Sequence, residues 1–284
     1  MDNEEMRQGW SSTGVGWVAN ARIFDATMAP MADAVIAAAE LVPGQRVLDV
    51  GCGFGTLLEL ADAAGTTPVG VDISDSMVEA ARRRVPAAEV LLADAQTEDL
   101  LQGGAGGFER VVSRFGVMFF ADPVAAFANI RRACVPGARL AFVCWRSGEN
   151  EIFTLGTEVL TARMAPDEGE GEDAGAPGPQ AFGEPERVRE ILTGAGWADV
   201  DLVAQDAPLD YGFDGTDGVE ERLSVILATT TGQSARAELE PTLGPDGWAS
   251  LVDEVRAELR RHLLDGAVRP VAHTWVVTAT NPAA

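Results

Sequence analysis

Three aspartates follow short apolar runs in the first third of the chain: Asp49 after Val47-Leu48, Asp72 after Val69-Gly70-Val71, and Asp94 after Leu91-Leu92-Ala93. Between the first two lies Gly51-Cys52-Gly53-Phe54-Gly55. A glycine turn between a strand and a helix lets a bound molecule approach the backbone and meet the free N–H groups of the helix's first turn. Acids at successive strand ends of one parallel sheet would converge on the same crevice. Together they describe a pocket for a nucleoside-bearing molecule.

The neighbours of the turn choose between cofactors. A dinucleotide fingerprint reads Gly-x-Gly-x-x-Gly, and its third glycine would fall on Thr56. Asp49, just before the turn, would repel a pyrophosphate but suits the ammonium and sulfonium charges of S-adenosylmethionine. Nicotinamide and flavin cofactors therefore rank second. Asp72 stands about as far past the turn as a ribose-binding acid does. Ser74 is read as the N-cap of the next helix, which leaves Asp72 for the ribose hydroxyls. Asp94 suits the adenine amino group.

These residues need a scaffold. Trp10 to Glu40 reads as helical. Strand and helix signals then alternate: strands at Arg46–Val50, Pro68–Asp72, Glu89–Leu92, Phe108–Ser113 and Arg139–Trp145, with helices at Thr56–Ala64, Asp75–Arg84 and Val124–Cys134. That rhythm implies right-handed crossovers and a parallel doubly wound sheet. Residues 164–180 are acidic and rich in Gly and Pro, which predicts a surface loop. A helix at Pro185–Ala195, a strand at Trp197–Ala204, a mostly helical stretch over 211–264 and a last strand at Val271–Ala279 follow. The expected organisation is a helical N-terminal segment over 1–44, a cofactor-binding core over 45–146, a cap with one sheet strand over 147–264, and a final core strand over 265–284.

Composition narrows the partners. Forty-four acidic residues face 21 basic ones, all Arg, for a formal net charge of −23. Polyphosphate is repelled by such a chain, so nucleic acid is not an expected partner. The cluster Arg82-Arg83-Arg84 reads as a solvated helix face. Three cysteines are too few for a disulfide framework, the N-terminus is acidic, and no apolar run reaches membrane-spanning length. A cytoplasmic protein with no membrane insertion and no metal site, monomeric or homodimeric, is expected.

Val47-Leu48-Asp49-Val50-Gly51-Cys52-Gly53-Phe54-Gly55, Gly70-Val71-Asp72-Ile73-Ser74 and Ala93-Asp94-Ala95 resemble the successive cofactor motifs of class I S-adenosylmethionine-dependent methyltransferases. Ser113–Phe120 and Leu140–Arg146 resemble the segments after strand four and along strand five of the ubiquinone/menaquinone-biosynthesis-like small-molecule group. The resemblance covers residues 10–146 well and the remainder weakly. It implies a Rossmann-like α/β fold with a seven-stranded sheet, its last strand antiparallel, carrying S-adenosylmethionine and releasing S-adenosylhomocysteine. It implies that Gly51 and Gly53 approach the methionine part, Asp72 binds the ribose, Ile73 and Met77 border the adenine, and Asp94 and Ala95 contact the base. The Arg114–Gly116 backbone would lie near the methionine end.

The acceptor side is apolar. Phe115, Met118 and Phe119 follow strand four and Trp145 ends strand five; with Trp17 they are candidate walls of a lipophilic pocket. The segment Ser113-Arg114-Phe115-Gly116 lacks the Pro-Pro-aromatic motif of DNA amine methylation, and Cys134-Val135-Pro136 lacks the Pro-Cys order of cytosine-5 chemistry. His273 is the candidate general base or substrate contact, packing being the competing reading; His262 reads as a surface residue. Methyl transfer to a small lipophilic metabolite, a natural product or quinone-like molecule, is expected. The alternatives are a methyltransferase-fold enzyme that cyclises or rearranges its substrate, and a non-catalytic cofactor-binding module.

Overall fold

The computed structural model describes residues 9–10, 14–101, 106–148, 150–165 and 175–283. Its centre is a seven-stranded sheet built from β1 (Arg46–Val50), β2 (Thr67–Asp72), β3 (Glu89–Leu92), β4 (Phe108–Arg114), β5 (Cys134–Trp145), β6 (Ala198–Pro208) and β9 (Val271–Thr280). The order is β3-β2-β1-β4-β5-β9-β6. Strands β1 to β5 are mutually parallel, and β9 runs antiparallel to both β5 and β6. The first five strands read as near-continuous apolar runs because helices cover both faces of the sheet.

The crossovers are α3 (Thr56–Ala63), α4 (Asp75–Arg84) and α5 (Pro123–Arg132), preceded by α1 (Ala21–Thr27) and α2 (Ala29–Ala39). At the start of α5 the Asp122 side chain accepts from the Ala125 N–H at 2.9 Å and Pro123 occupies the first turn, where its missing N–H costs nothing. After β5 come two short helices, α6 (Glu151–Thr154) and α7 (Thr157–Thr161), then α8 (Pro185–Gly194), α9 (Val219–Ala228) and the long α10 (Thr230–Arg261). α10 carries a non-helical Gly244 between Pro241 and Pro245.

Several boundaries differ from the sequence reading. The Trp10–Glu40 helix is described in separate pieces, 9–10, 14–19, α1 and α2, with breaks at Asn20 and Met28. Pro30, near the start of α2, has no N–H to continue a ladder, so the helix begins anew there. The Val124–Cys134 helix ends at Arg132, and Cys134 instead starts β5 opposite Phe108. The amphipathic run Trp248–Leu264 ends at Arg261, because Leu263–Leu264 (β7) and Ala267–Val268 (β8) form a hairpin. Its turn is Asp265-Gly266, both with φ positive (51° and 82°), the type I′ geometry that Asp-Gly favours. Of the 164–180 loop, the acidic centre Asp167–Asp173 lies outside the described residues; the returning limb is tied down where Gly178 N–H donates to the Met118 carbonyl at 3.1 Å.

Candidate cofactor and acceptor site

The start of the turn after β1 is held by backbone bonds and close packing. Gly51 and Cys52 donate to the Val71 carbonyl at 2.9 and 3.1 Å. Gly51 and Gly116 touch so closely that a Cβ on Gly51 would lie 2.8 Å from the Gly116 Cα, and one on Gly116 would lie 2.7 Å from the Val50 carbonyl oxygen. Glycine at both positions is thus a packing requirement, and it brings the end of β4 against the mouth of β1. Gly53, with φ of 54°, has nothing within 4 Å of where a Cβ would stand, so its surface is open to a ligand.

Asp72 organises the next strand end. Its Oδ2 accepts from Gly53 N–H at 2.8 Å and its Oδ1 from Ser74 N–H at 2.9 Å, so one carboxylate clamps two loops. Burial raises its pKa, and those amides, with that of Ile73, pull it back. Ser74 sits at the N-cap of α4 but its side chain makes no capping bond; the hydroxyl bonds to the Trp10 carbonyl at 3.3 Å instead. The cap expectation is corrected on that point, since the N-terminal segment competes for the hydroxyl. Ile73 is half-buried, whereas Met77 is buried and packs in the core. Asp94 binds its own loop: its oxygens accept from Gln96 N–H at 2.8 Å and the Thr97 hydroxyl at 2.9 Å. Ala95, also buried, gives its carbonyl to Asn129.

Asp49 is different. It is 2% exposed and neither carboxylate oxygen makes a hydrogen bond. Burial pushes its pKa up to about 8. Arg114 draws it down and Asp72 pushes it further up, while the Leu58 amide lowers it a little without reaching ordinary bonding geometry. Arg114 has the complementary defect: its Nη1 is buried without a partner, and burial lowers its pKa. A buried unpaired carboxylate and a buried unpaired guanidinium edge are each costly alone. A ligand end bearing one ammonium and one carboxylate answers both, so these residues fit the amino-acid end of S-adenosylmethionine.

Beyond Arg114 begins the apolar wall. Phe115 takes a left-handed backbone (φ 62°) and stacks on Trp145 with centroids 4.2 Å apart and planes at 11°; Phe153 meets Trp145 edge-on at 5.2 Å. A second aromatic row runs through the N-terminal segment, Phe119 to Trp10 at 5.0 Å, Trp10 to Trp17 at 5.8 Å, and Trp17 stacked on Phe24 at 4.2 Å. Met118 is fully enclosed in the core.

His273 lies elsewhere. Strand pairing sets Asp49 opposite Val112, Val112 opposite Ala141, and Trp145 opposite Thr274, which puts Asp49, Trp145 and Thr274 on one face. His273, one residue before Thr274, therefore projects from the other face. There its Nδ1 meets Asp206 Oδ1 at 2.8 Å, with Arg146 Nη2 also 2.8 Å from that oxygen and 3.2 Å from the imidazole. The fold does not bring His273 beside Phe115 and Trp145. His262 is an exposed residue paired with Glu258.

Sequence reasoning missed a network beneath the turn. Arg84, read as part of a solvated run, donates to Asp25 Oδ2 at 2.8 Å and Glu59 Oε2 at 2.6 Å, and Arg82 donates to the Val90 carbonyl at 2.7 Å. Arg82 and Arg83 are exposed, and Arg84 is the half-buried one. The Thr56 hydroxyl joins Asp25 at 2.7 Å to Arg114 at 3.2 Å. Thr56 as the odd residue in a glycine pattern was the available signal. Among the described residues no cluster of His, Cys, Asp or Glu could hold a metal, and no helix is long and apolar enough to cross a membrane.

Residues 48–142 match the family model for a methyltransferase domain. A demethylmenaquinone methyltransferase of Renibacterium salmoninarum is 36% identical over 106 residues, 37% of this chain and 44% of that protein. Nocamycin O-methyltransferase of Saccharothrix syringae is 26% identical over 277 residues, 89% of this chain and 94% of that protein. The chain spans less than half the length of several curated relatives that it matches. In three dimensions it resembles a putative methyltransferase of Bacillus halodurans, with a TM-score of 0.54 at 17% identity over 89% of this chain and 99% of that one. The motifs and the matched model agree that residues 48–142 form a methyltransferase domain, and the sheet order is that of a Rossmann-like α/β fold.

Proposed function

We propose that this protein transfers a methyl group from S-adenosylmethionine to a small, lipophilic metabolite, a natural product or quinone-like molecule. The observation that carries the reading is the adjacency of two unlike surfaces at the end of β4. Arg114, with Asp49 beside it, offers unpaired buried charge, and the next residue, Phe115, opens an aromatic wall with Trp145. The cofactor supplies the electrophilic methyl carbon. Asp49 holds the ammonium, Asp72 the ribose, and Gly53 lets the ligand approach the backbone. Phe115 and Trp145 exclude water and hold an apolar acceptor flat. Trp17 and Phe119, linked through Trp10, close the acceptor side, and residues 147–264 serve as its cap.

On the face that Asp49 and Trp145 share, none of the sequence's histidines is available as a base. The chain therefore works by alignment, which is worth several kcal/mol, on the order of 7 in favourable cases. Acceptors already nucleophilic near neutral pH, such as phenolates, enolates and amines, suit such a site. Incubation with S-adenosylmethionine and a panel of quinols, phenols and enolisable polyketide acids is expected to give S-adenosylhomocysteine and a product heavier by one methyl group. Turnover without that mass gain would favour cyclisation or rearrangement. Binding without any turnover of the panel would favour a cofactor-binding module, and absence of binding would overturn the reading.

A further inference from the structure

Two arginines approach the Thr56 hydroxyl and end in opposite electrostatic states. Arg84 is neutralised by Asp25 and Glu59, at 2.8 and 2.6 Å. Burial alone would lower its pKa, but those two carboxylates outweigh it and the pKa is raised. Arg114 donates Nη2 to Thr56 Oγ1 and, among the described residues, pairs with no carboxylate. The hydroxyl donates its hydrogen bond to Asp25 Oδ1, so a lone pair faces Arg114. A neutral acceptor orients a guanidinium without cancelling its charge. The three segments joined are α1 through Asp25, the first turn of α3 through Thr56, and the end of β4 through Arg114.

We infer that Arg114 is the specificity residue for the amino-acid end of the ligand, its free Nη1 edge receiving an α-carboxylate, with Thr56 and Asp25 as the positioning residues that fix that edge from the N-terminal helix. The inference rests on the cofactor reading proposed above. Asp49, without a partner and on the same face, takes the α-ammonium, so the site selects a zwitterion over a bare nucleoside. Arg84 cannot substitute, because its donors are committed to Asp25 and Glu59.

Calorimetric titration with S-adenosylhomocysteine and with 5′-methylthioadenosine, which lacks the amino-acid end, separates the possibilities. Arg114→Met is expected to weaken S-adenosylhomocysteine by about 10- to 100-fold, the loss of one charge-assisted contact, and to change methylthioadenosine by less than about threefold. Thr56→Val and Asp25→Asn should reproduce the selective loss at several-fold, and Arg114→Lys should recover part of it. If Arg114→Met binds S-adenosylhomocysteine as the parent does, or loses both ligands equally, the inference is overturned while the cofactor reading stands. If the parent protein binds neither ligand, the cofactor reading itself fails. Should Arg114→Met not fold, Arg114→Lys and Thr56→Val decide: an unchanged preference between the two ligands overturns the inference.

Discussion

Two groups of charged residues lie at the same end of the sheet, one on β1 and β4 and the other at β5, β9 and β6, and they differ in how complete they are. On one face Asp49 is buried and Arg114 half-buried, and they leave three buried polar atoms unpaired between them. On the other, Asp206, His273 and Arg146 bond to one another while half open to solvent, with side-chain exposures of 52, 31 and 24%. The exposed cluster satisfies itself and stays near water, so folding explains it: it ties the end of β5 to β6 and β9. Folding cannot explain the buried pair, because burying polar groups without partners is unfavourable unless something else completes them. The contrast separates a latch from a ligand site, although a list of titratable residues would rank His273 first.

The sharpest way to break this contrast is Asp49→Asn. If the carboxylate is kept for a ligand, affinity for S-adenosylhomocysteine should fall on the order of 100-fold, while the ligand-free protein becomes more stable at alkaline pH. Calorimetry and thermal melts at pH 9 read the two effects. A loss of affinity accompanied by a fall in Tm would mean that Asp49 supports the fold, and the contrast would collapse.

The second test uses pH. A carboxyl whose pKa rises on folding from 3.8 to about 8 binds a proton in the folded chain that the unfolded chain releases. Its contribution to stability therefore falls as pH climbs through that window and is flat above it. Binding an ammonium needs the ionised form, so affinity should rise by up to about tenfold per unit between pH 6 and 8, with one proton released. Titration in buffers of different ionisation enthalpy measures that proton; its absence from Asp49→Asn assigns it.

Phe115 extends the comparison to the backbone. Its φ of 62° suits Gly or Asn, and nothing in the Asp206–His273–Arg146 group is strained in this way. Phe115→Gly should therefore be more stable than Phe115→Ala by about 1 kcal/mol, the reverse of the order expected in a strand. Both should lose the Trp145 stack and raise the KM for an apolar acceptor. Chemical denaturation of the two variants checks the order, and Ala above Gly would show that the conformation is not held in solution.

The sheet was legible because its evidence is local. Each of β1 to β5 carries a buried apolar run, each crossover a cap or glycine, and the three acids fall at strand ends by spacing alone. The sequence also pointed to Asp49, Asp72 and Asp94 as one constellation, but not to their unequal states. Asp94 spends its oxygens on Gln96 and Thr97, Asp72 on two loop amides, and Asp49 on nothing, a difference set by which backbone donors happen to arrive. Arg84 looked solvated because helical periodicity does not reveal that α1, a segment from 59 residues earlier, delivers Asp25 to it. The face of His273 depended on the register of β9 against β5, and a slip of one residue would have moved it beside Trp145.

That register makes the smallest prediction the most discriminating one for the exposed cluster. The hydrogen bond from His273 holds the Asp206 carboxyl below the usual range, with Arg146 adding to it against a small opposing effect of burial. A depressed carboxyl contributes stability above its unfolded pKa that is lost as pH falls through the folded one. The pair is open to solvent, so screening keeps that contribution small. Asp206→Asn and His273→Ala should therefore lower Tm by no more than about 2 °C at pH 7, and the Asp206→Asn difference should vanish in acid. Methyl transfer should change by less than about threefold in either variant. A hundredfold loss of kcat in His273→Ala, with S-adenosylhomocysteine affinity intact, would make the imidazole a general base and require β9 to present its other face to the acceptor. A register that pairs Trp145 with Thr274 forbids that arrangement, so this measurement tests the strand assignment and the chemistry together.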